Sequence, residues 1–237
     1  MKAMILAAGL GTRLKPWTDQ HPKALAEVNG KPLLQRNIEY LQTFGIKDVL
    51  VNVHHFADQI IQAIDNNEGW GSAISISDET DAVLETGGGL VHARWFFDED
   101  DFVLMNVDIL TDLDILAMRD YHQRHRPLST LAVTNRESSR YFLFDERNDL
   151  CGWRNMKTGE EKLSTGHPVF TQKAFSGIHI INPALFDHVQ QTGKFSMVDV
   201  YLDLARKYTI KAYDHSQGKL LDVGKPESVV KAGELFK

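Results

Sequence analysis

Residues 3–16 of the chain read AMILAAGLGTRLKP, a short apolar run followed directly by a glycine-rich loop. The run Ala3–Ala8 is continuous rather than alternating, which is typical of a strand covered on both faces of a parallel sheet. Gly9 and Gly11 let the backbone approach a phosphate closely, and successive N–H groups of such a loop can point at it. Arg13 adds a cation with bidentate donors. The stretch therefore predicts a buried first strand that ends at a phosphate-binding loop.

Two widespread glycine-rich motifs do not fit this loop. A dinucleotide fingerprint requires a third glycine where Leu14 stands, and a P-loop requires Gly-Lys where the chain has Leu14 and Lys15. A tight strand-to-helix turn with solvated charges is the alternative to a phosphate site. Lys23, which follows Pro22, supplies a second cation, and this favours the phosphate site.

Strand-like and helix-like segments alternate outward from this loop. In the first half, the sequence predicts strands at Lys47–Val53, Ala73–Ser77, Phe102–Asn106 and Ser129–Thr134, and helices at Leu33–Phe44, Ala57–Ile64, Gly89–Phe97 and Asp114–Arg124. Such alternation indicates a parallel sheet with right-handed crossovers.

The pattern changes after about residue 135, where the segments become shorter and more polar. The sequence predicts strands at Tyr141–Phe144, Leu150–Trp153, Phe175–Ile181 and Ile210–Tyr213, helices at Pro183–Gln190, Met197–Lys207 and Pro226–Phe236, and a loop at Met156–Gln172. Because no repeat, low-complexity tract or clear linker interrupts the chain, we expect the second half to extend the same sheet.

Composition narrows the class of protein. The chain has 237 residues, 43% of them hydrophobic, and a formal net charge of −6. These values exclude a mainly disordered chain, and the acidic balance does not favour nucleic acid or an anionic membrane as a partner. No apolar run approaches the roughly 18 residues of a membrane helix. Cys151 is the single cysteine, so an intrachain disulfide and a zinc ribbon are excluded. We expect a cytoplasmic protein.

The stretch from Leu6 to Pro16, with Pro22-Lys23 after it, resembles the signature of sugar-phosphate nucleotidyltransferases, also called nucleoside-diphosphate-sugar pyrophosphorylases. That signature reads Leu-X-X-Gly-X-Gly-Thr-Arg-Leu-X-Pro, followed by Pro-Lys. Trp17 stands where the family often has leucine. The resemblance implies that the loop wraps nucleotide phosphates and that Arg13 and Lys23 take the cationic, catalytic roles.

A second glycine-rich run, Glu85-Thr86-Gly87-Gly88-Gly89, precedes a predicted helix. Three glycines permit positive φ and close packing against a flat ligand, although a flexible turn with a helix cap is the alternative. The family has a similar segment that lines the nucleoside, and this run looks most like the short enzymes that activate N-acetylmuramate 1-phosphate or related sugars. The nucleotide-binding residues that the resemblance implies are Leu6, Ala8, Gly9, Gly11, Thr12, Arg13, Lys23, Glu85, Thr86, Gly87 and Gly88.

Two aspartates resemble the magnesium ligands of the family. Asp108 follows an apolar strand, and open α/β sheets bind ligands at the carboxyl ends of their strands. Val107 stands where the family usually has glycine. Asp222 falls in an element that resembles Asp-X-Gly-Thr-Pro-Glu, with Lys225 in place of the threonine. Mg²⁺ takes one or two protein carboxylates, so the resemblance implies Mg²⁺ on Asp108 and Asp222, which only the fold could bring together.

The sugar side of the site is less defined. Phe175–His179 resembles a strand that lies beside the sugar phosphate in the family, and the implied contacts are Asn106, Ser176 and Gly177. The Glu-Lys-Pro element of many relatives is missing, so the sugar stays open. The adjacent pair His54-His55 is a poor metal site because neighbouring residues on a strand face opposite ways.

The resemblance runs from residue 1 to about 236. It implies a doubly wound α/β fold with a mostly parallel mixed sheet in a single domain, with a nucleotide-binding half (1–135) and a sugar-phosphate-binding half (136–237). The implied reaction joins an NTP and a sugar 1-phosphate into an NDP-sugar and pyrophosphate, in cell-wall sugar metabolism.

UTP with an amino-sugar or muramyl-type 1-phosphate is favoured, and GTP with a mannose or heptose 1-phosphate is the alternative. A non-catalytic nucleotide- or sugar-sensing domain of the same fold is a further alternative. A glycosyltransferase is another, because Asp112-Leu113-Asp114 has the Asp-X-Asp form. A homo-oligomer is left open.

Overall fold

The computed structural model describes residues 1–166 and 170–237. The strands are β1 (Ala3–Leu6), β2 (Glu27–Val28), β3 (Lys31–Pro32), β4 (Asp48–Val53), β5 (Ala73–Asp78), β6 (Phe102–Asn106), β7 (Ile109–Thr111), β8 (Ser129–Thr134), β9 (Arg140–Phe144), β10 (Leu150–Asn155), β11 (Glu161–Leu163), β12 (Thr171–Ile181), β13 (Ile210–Asp214) and β14 (Leu220–Asp222). The helices are α1 (Leu33–Thr43), α2 (Ala57–Asn66), α3 (Glu85–His92), α4 (Ile115–His125), α5 (Met197–Leu204) and α6 (Pro226–Leu235).

A ten-stranded mixed sheet runs through the described chain, in the order β11-β10-β9-β12-β6-β1-β4-β5, with β8 joining β12 to β13. The neighbours β6, β1, β4 and β5 are all parallel. Antiparallel pairs enter with β12, which pairs with β6, β8 and β9. The expected α/β fold with a mixed sheet is confirmed, and strands from both ends of the chain share one sheet.

Both faces of the sheet are covered, which explains why its strands read as continuous apolar runs. Successive side chains of β1 point to opposite faces, so Ile5 packs in one core cluster and Met4 in another. Helices α1, α2 and α4 cover the first cluster, and α3 and α5 cover the second. Each fully buried aliphatic side chain contributes roughly 1.5–3 kcal/mol, so both faces stabilise the fold.

Three parallel strands end side by side, and this determines where a ligand can bind. In the register of the sheet, Leu6 of β1 pairs with Asn52 of β4 on one side and with Asn106 of β6 on the other. The carboxyl ends of parallel strands are where open α/β sheets form their ligand crevices.

Several elements differ from their predicted bounds. Helix α3 begins at Glu85 rather than Gly89, and it contains the whole glycine run. The predicted helix after Pro183 is a 3₁₀ turn that ends at Asp187, and α5 ends at Leu204.

The predicted loop Met156–Gln172 contains β11 and the start of β12, while residues 167–169 of that prediction lie outside the described residues. Among the described strands, β11 pairs with β10 alone, and its three residues, two of them charged, are all exposed, so its sequence carries little apolar signal. None of the described helices is both long and apolar enough to cross a bilayer.

Candidate active site

A cavity of about 390 Å³ lies at the carboxyl ends of β1, β4 and β6. Its walls come from residues 6–9, from parts of segments 79–86 and 106–108, and from Lys23, Asn52 and Ser196. Residues far apart in sequence therefore meet in one crevice, at the edge where the sequence predicted a phosphate site.

Two glycines of the first loop have different structural needs. Gly11 has φ 62°, and a Cβ there would lie 2.9 Å from Thr18 Cγ2 and 3.0 Å from Lys23 Cβ. Its carbonyl oxygen accepts hydrogen bonds from the Leu14 amide and from the Thr18 hydroxyl. A Cβ at Gly9, by contrast, would meet nothing within 4 Å among the described residues. The fold requires glycine at position 11. At position 9 the fold does not require it, and the space beside Gly9 is part of the cavity, where a ligand can approach the backbone.

Two cations and two carboxylates converge beside the cavity. Lys23 Nζ donates to Asp108 Oδ2, and both side chains are largely buried, at 11% and 15% exposure. Arg13 Nη2 lies 3.5 Å from Asp222 Oδ2 and 3.9 Å from Asp108 Oδ2. Because Arg13 is 55% exposed, its ion pairs are weak compared with the buried Lys23–Asp108 pair.

A short antiparallel pair brings the two aspartates together. β14 pairs with β7, which places Asp222 opposite Ile109, the residue after Asp108. The Val223 amide also donates to the Asp108 carbonyl oxygen at 2.8 Å. The late element of the sequence is thus fixed next to the end of β6.

The chemistry of these carboxylates fits a magnesium ion that is shared with a ligand. Asp222 Oδ1 is buried and has no hydrogen-bond partner among the described residues. Carboxylate oxygens are the hard ligands that Mg²⁺ prefers. Within residues 1–166 and 170–237, no group of three or more His, Cys, Asp or Glu side chains could hold a metal ion. A metal held by Asp108 and Asp222 would therefore need phosphate oxygens or water to complete its coordination.

The second glycine run packs helix α3 against the 193–195 segment. The amides of Gly87 and Gly88 donate to the Phe195 carbonyl oxygen at 2.9 and 3.2 Å. A Cβ would lie 2.5 Å from the Phe195 ring at Gly87 and 2.2 Å from the Gly193 carbonyl oxygen at Gly88. Neither glycine lines the cavity, and the left-handed residue here is Glu85, with φ 60°. Gly87 and Gly88 were expected to have positive φ and to pack closely on a ligand. Neither has positive φ, and both pack against the 193–195 segment instead.

Glu85 and Thr86, which precede these glycines, do line the cavity. Lys194 Nζ lies 3.7 Å from Glu85 Oε1, and the Thr86 hydroxyl oxygen accepts a hydrogen bond from the Met197 amide at 2.9 Å. The first turn of α3 is therefore held against the start of α5.

The three residues expected at the sugar phosphate occupy different positions. Asn106 lines the cavity. Gly177 has φ 76°, and a Cβ there would lie 2.9 Å from Asn106 Nδ2, so glycine leaves room for the asparagine. Ser176 is fully buried, and its hydroxyl pairs with His215 Nε2 at 2.8 Å. Its side chain faces His215 rather than the cavity, in the stretch of β12 where the β12–β8 register shifts between Phe175 and His179.

Two buried histidines lie behind this part of the site. Burial lowers the pKa of His215, although Asp214 and Asp112 oppose the shift. Burial lowers the pKa of His179 to about 3, and its Nδ1 pairs with the Tyr201 hydroxyl. Both rings are therefore neutral near pH 7.

The remaining motifs of the sequence have local roles. Asp114 caps α4 by accepting the Ala117 amide, and Asp112 accepts the Lys219 amide. Both aspartates of the Asp-X-Asp stretch therefore accept hydrogen bonds from backbone amides. His54 Nδ1 hydrogen-bonds with the Glu79 carbonyl oxygen at 2.7 Å.

Two buried polar residues of the cavity wall, Asn52 and Glu79, were not among the predicted site residues, and they hydrogen-bond to each other at 2.7 Å. The available signal was a single asparagine that interrupts the apolar run of β4 near its carboxyl end.

Comparison with known proteins places this site in a family. The chain matches the family model described as nucleotidyl transferase over residues 2–236. The N-acetylmuramate alpha-1-phosphate uridylyltransferase of Neisseria meningitidis is 29% identical over 233 residues, which cover 94% of this chain and 93% of that protein. The mannose-1-phosphate guanyltransferase of Yarrowia lipolytica is 28% identical over 100% of this chain, which spans only 64% of that protein's length.

Solved structures agree with these relatives. HddC from Yersinia pseudotuberculosis, complexed with GMP-PN, superposes with a TM-score of 0.78 at 26% identity, over 100% of this chain and 99% of that one. The inositol-1-phosphate CTP transferase of T. maritima has a TM-score of 0.79 at 16% identity, over 99% and 94%, and shares the fold. Since the family model covers nearly every residue around this crevice, the chain belongs to the nucleotidyl transferase family.

Proposed function

We propose that the chain joins a nucleoside triphosphate and a sugar 1-phosphate into an NDP-sugar, with release of pyrophosphate. The observation that carries the proposal is the meeting of Arg13, Lys23, Asp108 and Asp222, from separate segments, beside a cavity at the ends of parallel strands. Relatives named as uridylyl- and guanylyltransferases of sugar 1-phosphates support it.

In this reaction a phosphate oxygen of the sugar 1-phosphate attacks the α-phosphorus of the NTP. One P–O bond forms, the bond to the β-phosphate breaks, and pyrophosphate leaves with the electron pair. A phosphate monoester is already ionised near pH 7, so the site needs no general base. Catalysis then consists of positioning and charge neutralisation, which fits a site with two cations and two carboxylates beside one cavity.

Arg13 and Lys23 would hold the phosphates of the nucleotide. Both cations are paired with carboxylates, so nucleotide binding requires them to exchange Asp108 and Asp222 for phosphate oxygens. Asp108 and Asp222 would hold Mg²⁺, which supplies neutralisation of the charge on the reacting phosphates when it is bound.

The two ends of the cavity would bind different substrates. On the nucleotide side we include the cavity-lining residues Leu6, Ala8, Gly9, Glu85 and Thr86, and Gly11 and Thr12, which follow them in the first loop. Gly87 and Gly88 would support this side through packing. On the sugar side we include Asn106 and Gly177, with Ser176 behind them. We propose residues 1–135 as the nucleotide-binding half and 136–237 as the sugar-phosphate-binding half, with Asn106 of the first half reaching the sugar side.

UTP with an amino-sugar or muramyl-type 1-phosphate is the substrate pair we favour. The Neisseria uridylyltransferase has nearly the same length as this chain, and a second such enzyme, from Caulobacter vibrioides, is 44% identical over 108 residues, 45% of each chain. We also propose that the enzyme acts in the cytoplasm and that its product serves cell-wall sugar metabolism.

GTP with a mannose or heptose 1-phosphate is the second candidate. HddC is complexed with GMP-PN, and the Yarrowia relative is named a guanyltransferase. A non-catalytic sensing domain is less well supported, because all four charged residues of a transfer site are present together.

The test is pyrophosphate release with five NTPs against a panel of sugar 1-phosphates in the presence of Mg²⁺. We expect release only when both substrates are present, with kcat/KM highest for UTP. A preference of tenfold or more for GTP, about 1.4 kcal/mol, would select the second candidate. Tight nucleotide binding without pyrophosphate release for any pair would support the sensing domain.

A further inference from the structure

Asn52 joins two segments of the cavity wall that are remote in sequence. It lies near the end of β4, is 2% exposed and lines the cavity. Its Oδ1 accepts the amides of Ala7 and Ala8 at 2.7 and 3.3 Å, and its Nδ2 donates to Glu79 Oε1 at 2.7 Å. One side chain thus holds the first loop and the segment after β5.

The contact of Asn52 with Ala7 and Ala8 continues the hydrogen bonding between β1 and β4 beyond the last residue pair of these strands. Leu6 of β1 is in register with Asn52 of β4, and β1 ends there. The next two amides, those of Ala7 and Ala8, are buried and would otherwise lack the partner that the neighbouring strand supplies. The side-chain oxygen of Asn52, Oδ1, replaces that partner. The path of the backbone into Gly9 therefore depends on this side chain.

The second contact fixes Glu79 under helix α3. Glu79 is 3% exposed, and its other oxygen, Oε2, accepts the Leu84 amide at 3.3 Å. A Cβ at Gly89 would lie 2.6 Å from Glu79 Oε1 and 3.1 Å from Asn52 Nδ2. The third glycine of the run therefore leaves the space that the Asn52–Glu79 pair occupies.

The chemistry of both contacts specifies an amide. An aspartate at position 52 would accept from Ala7 and Ala8 but would present an oxygen to the Glu79 carboxylate, and a leucine would leave two buried amides unpaired. We propose that Asn52 is a positioning residue for nucleotide binding, which holds the first loop and the segment from Glu79 to Leu84 at a fixed separation across the cavity. This inference rests on the proposed function, because it assumes that the cavity binds a nucleotide.

The experiment measures the Kd of UTP and of GTP, each with Mg²⁺, by calorimetry. We expect Asn52→Asp to raise the Kd of the nucleotide that the wild type binds at least tenfold, while the KM of the sugar 1-phosphate changes less than threefold. In the double variant Asn52→Asp with Glu79→Gln, a glutamine amide can donate to the new aspartate. We expect this variant to bind the nucleotide more tightly than Asn52→Asp alone, a rescue that general destabilisation would not give.

Leu50→Ala is the matched control. Leu50 lies two residues earlier on the same face of β4 and is fully buried, so its truncation should lower the melting temperature without changing the nucleotide Kd. If Asn52→Asp does not fold, Gly89→Ala tests the same pair, because its methyl group would displace Glu79 Oε1 from Asn52. We expect a similar rise in Kd from that variant.

Unchanged nucleotide binding in Asn52→Asp, or in Gly89→Ala where that variant replaces it, would overturn the inference while the proposed function stands. Absence of rescue in the double variant would also overturn it. A wild type that binds neither UTP nor GTP would refute both substrate pairs of the proposed function, and the inference with them.

Discussion

Asp108 and Asp222 each lie within 4.0 Å of a cation, and their carboxylates are the groups we assign to the metal. We expect Asp108→Asn and Asp222→Asn each to lower kcat at least about a hundredfold, since a lost ligand weakens charge neutralisation in the transition state. Steady-state kinetics at saturating Mg²⁺ measure this. Asp114→Asn is the control, because it removes the same charge and asparagine caps a helix as well as aspartate does. Near wild-type turnover in either site variant would refute the metal assignment.

Arg13 is exposed, and its ion pairs with Asp108 and Asp222 are long, so they contribute little to the free energy of unfolding. We expect Arg13→Ala to lower kcat more than it weakens nucleotide binding, because its contact with the departing pyrophosphate strengthens in the transition state. Calorimetric Kd and steady-state kcat of the same preparation separate the two effects. Lys15→Ala, which removes an exposed cation paired with Asp19, serves for comparison. Kinetics in which only KM rises would show that Arg13 acts in binding alone.

His179 links stability to pH. Its pKa is about 3 in the folded protein because of burial, and about 6.5 in an unfolded chain. Between these values the unfolded state binds a proton that the folded state does not, so the free energy of unfolding falls as the pH is lowered from 6.5 toward 3. We expect the titration of this group to lower the free energy of unfolding by about 2 kcal/mol between pH 7 and pH 5. Urea unfolding at both pH values should show a smaller loss in His179→Gln, and an equal loss in both proteins would contradict the assignment.

At the scale of elements, Gly88 of helix α3 and Gly9 of the first loop have opposite relations to the fold. We expect Gly88→Ala to lower the free energy of unfolding by roughly 1–3 kcal/mol, because its methyl group would overlap the Gly193 carbonyl oxygen. Gly9→Ala should leave the unfolding free energy nearly unchanged and weaken nucleotide binding, since the space beside Gly9 is empty of protein atoms described in the structure. Denaturant unfolding and calorimetry measure both variants. A destabilised Gly9→Ala with unchanged nucleotide affinity would contradict this division.

The same elements show what the sequence could predict. The strands that carry the site were predictable because burial on both faces leaves continuous apolar runs, as in β1 and β6. The start of α3 was not, because glycine disfavours helices and only packing against Phe195 and Gly193 makes the run helical. The direction of the Ser176 side chain was not predicted either: it lies where the β12–β8 register shifts, and the sequence signal of that irregularity is Gly177, a glycine inside a strand.

At the scale of the whole molecule, topology creates the site from parts that are individually weak signals. Asp222 lies 114 residues after Asp108, and it reaches that carboxylate only because β14 pairs with β7. Asn52 likewise reaches the first loop only because β4 lies beside β1. A chain with a net charge of −6 thus concentrates two cations at one strand edge, where a polyphosphate can replace their carboxylate partners.

The central claim is that a sugar phosphate oxygen attacks the α-phosphorus of an NTP in this crevice. The most direct test uses a sugar 1-phosphate whose non-bridging phosphate oxygens carry ¹⁸O, with unlabelled UTP or GTP and Mg²⁺, and mass spectrometry of the products. The account predicts that all of the label appears in the NDP-sugar and none in the pyrophosphate. Label in the pyrophosphate, or release of a nucleoside diphosphate in place of pyrophosphate, would contradict it.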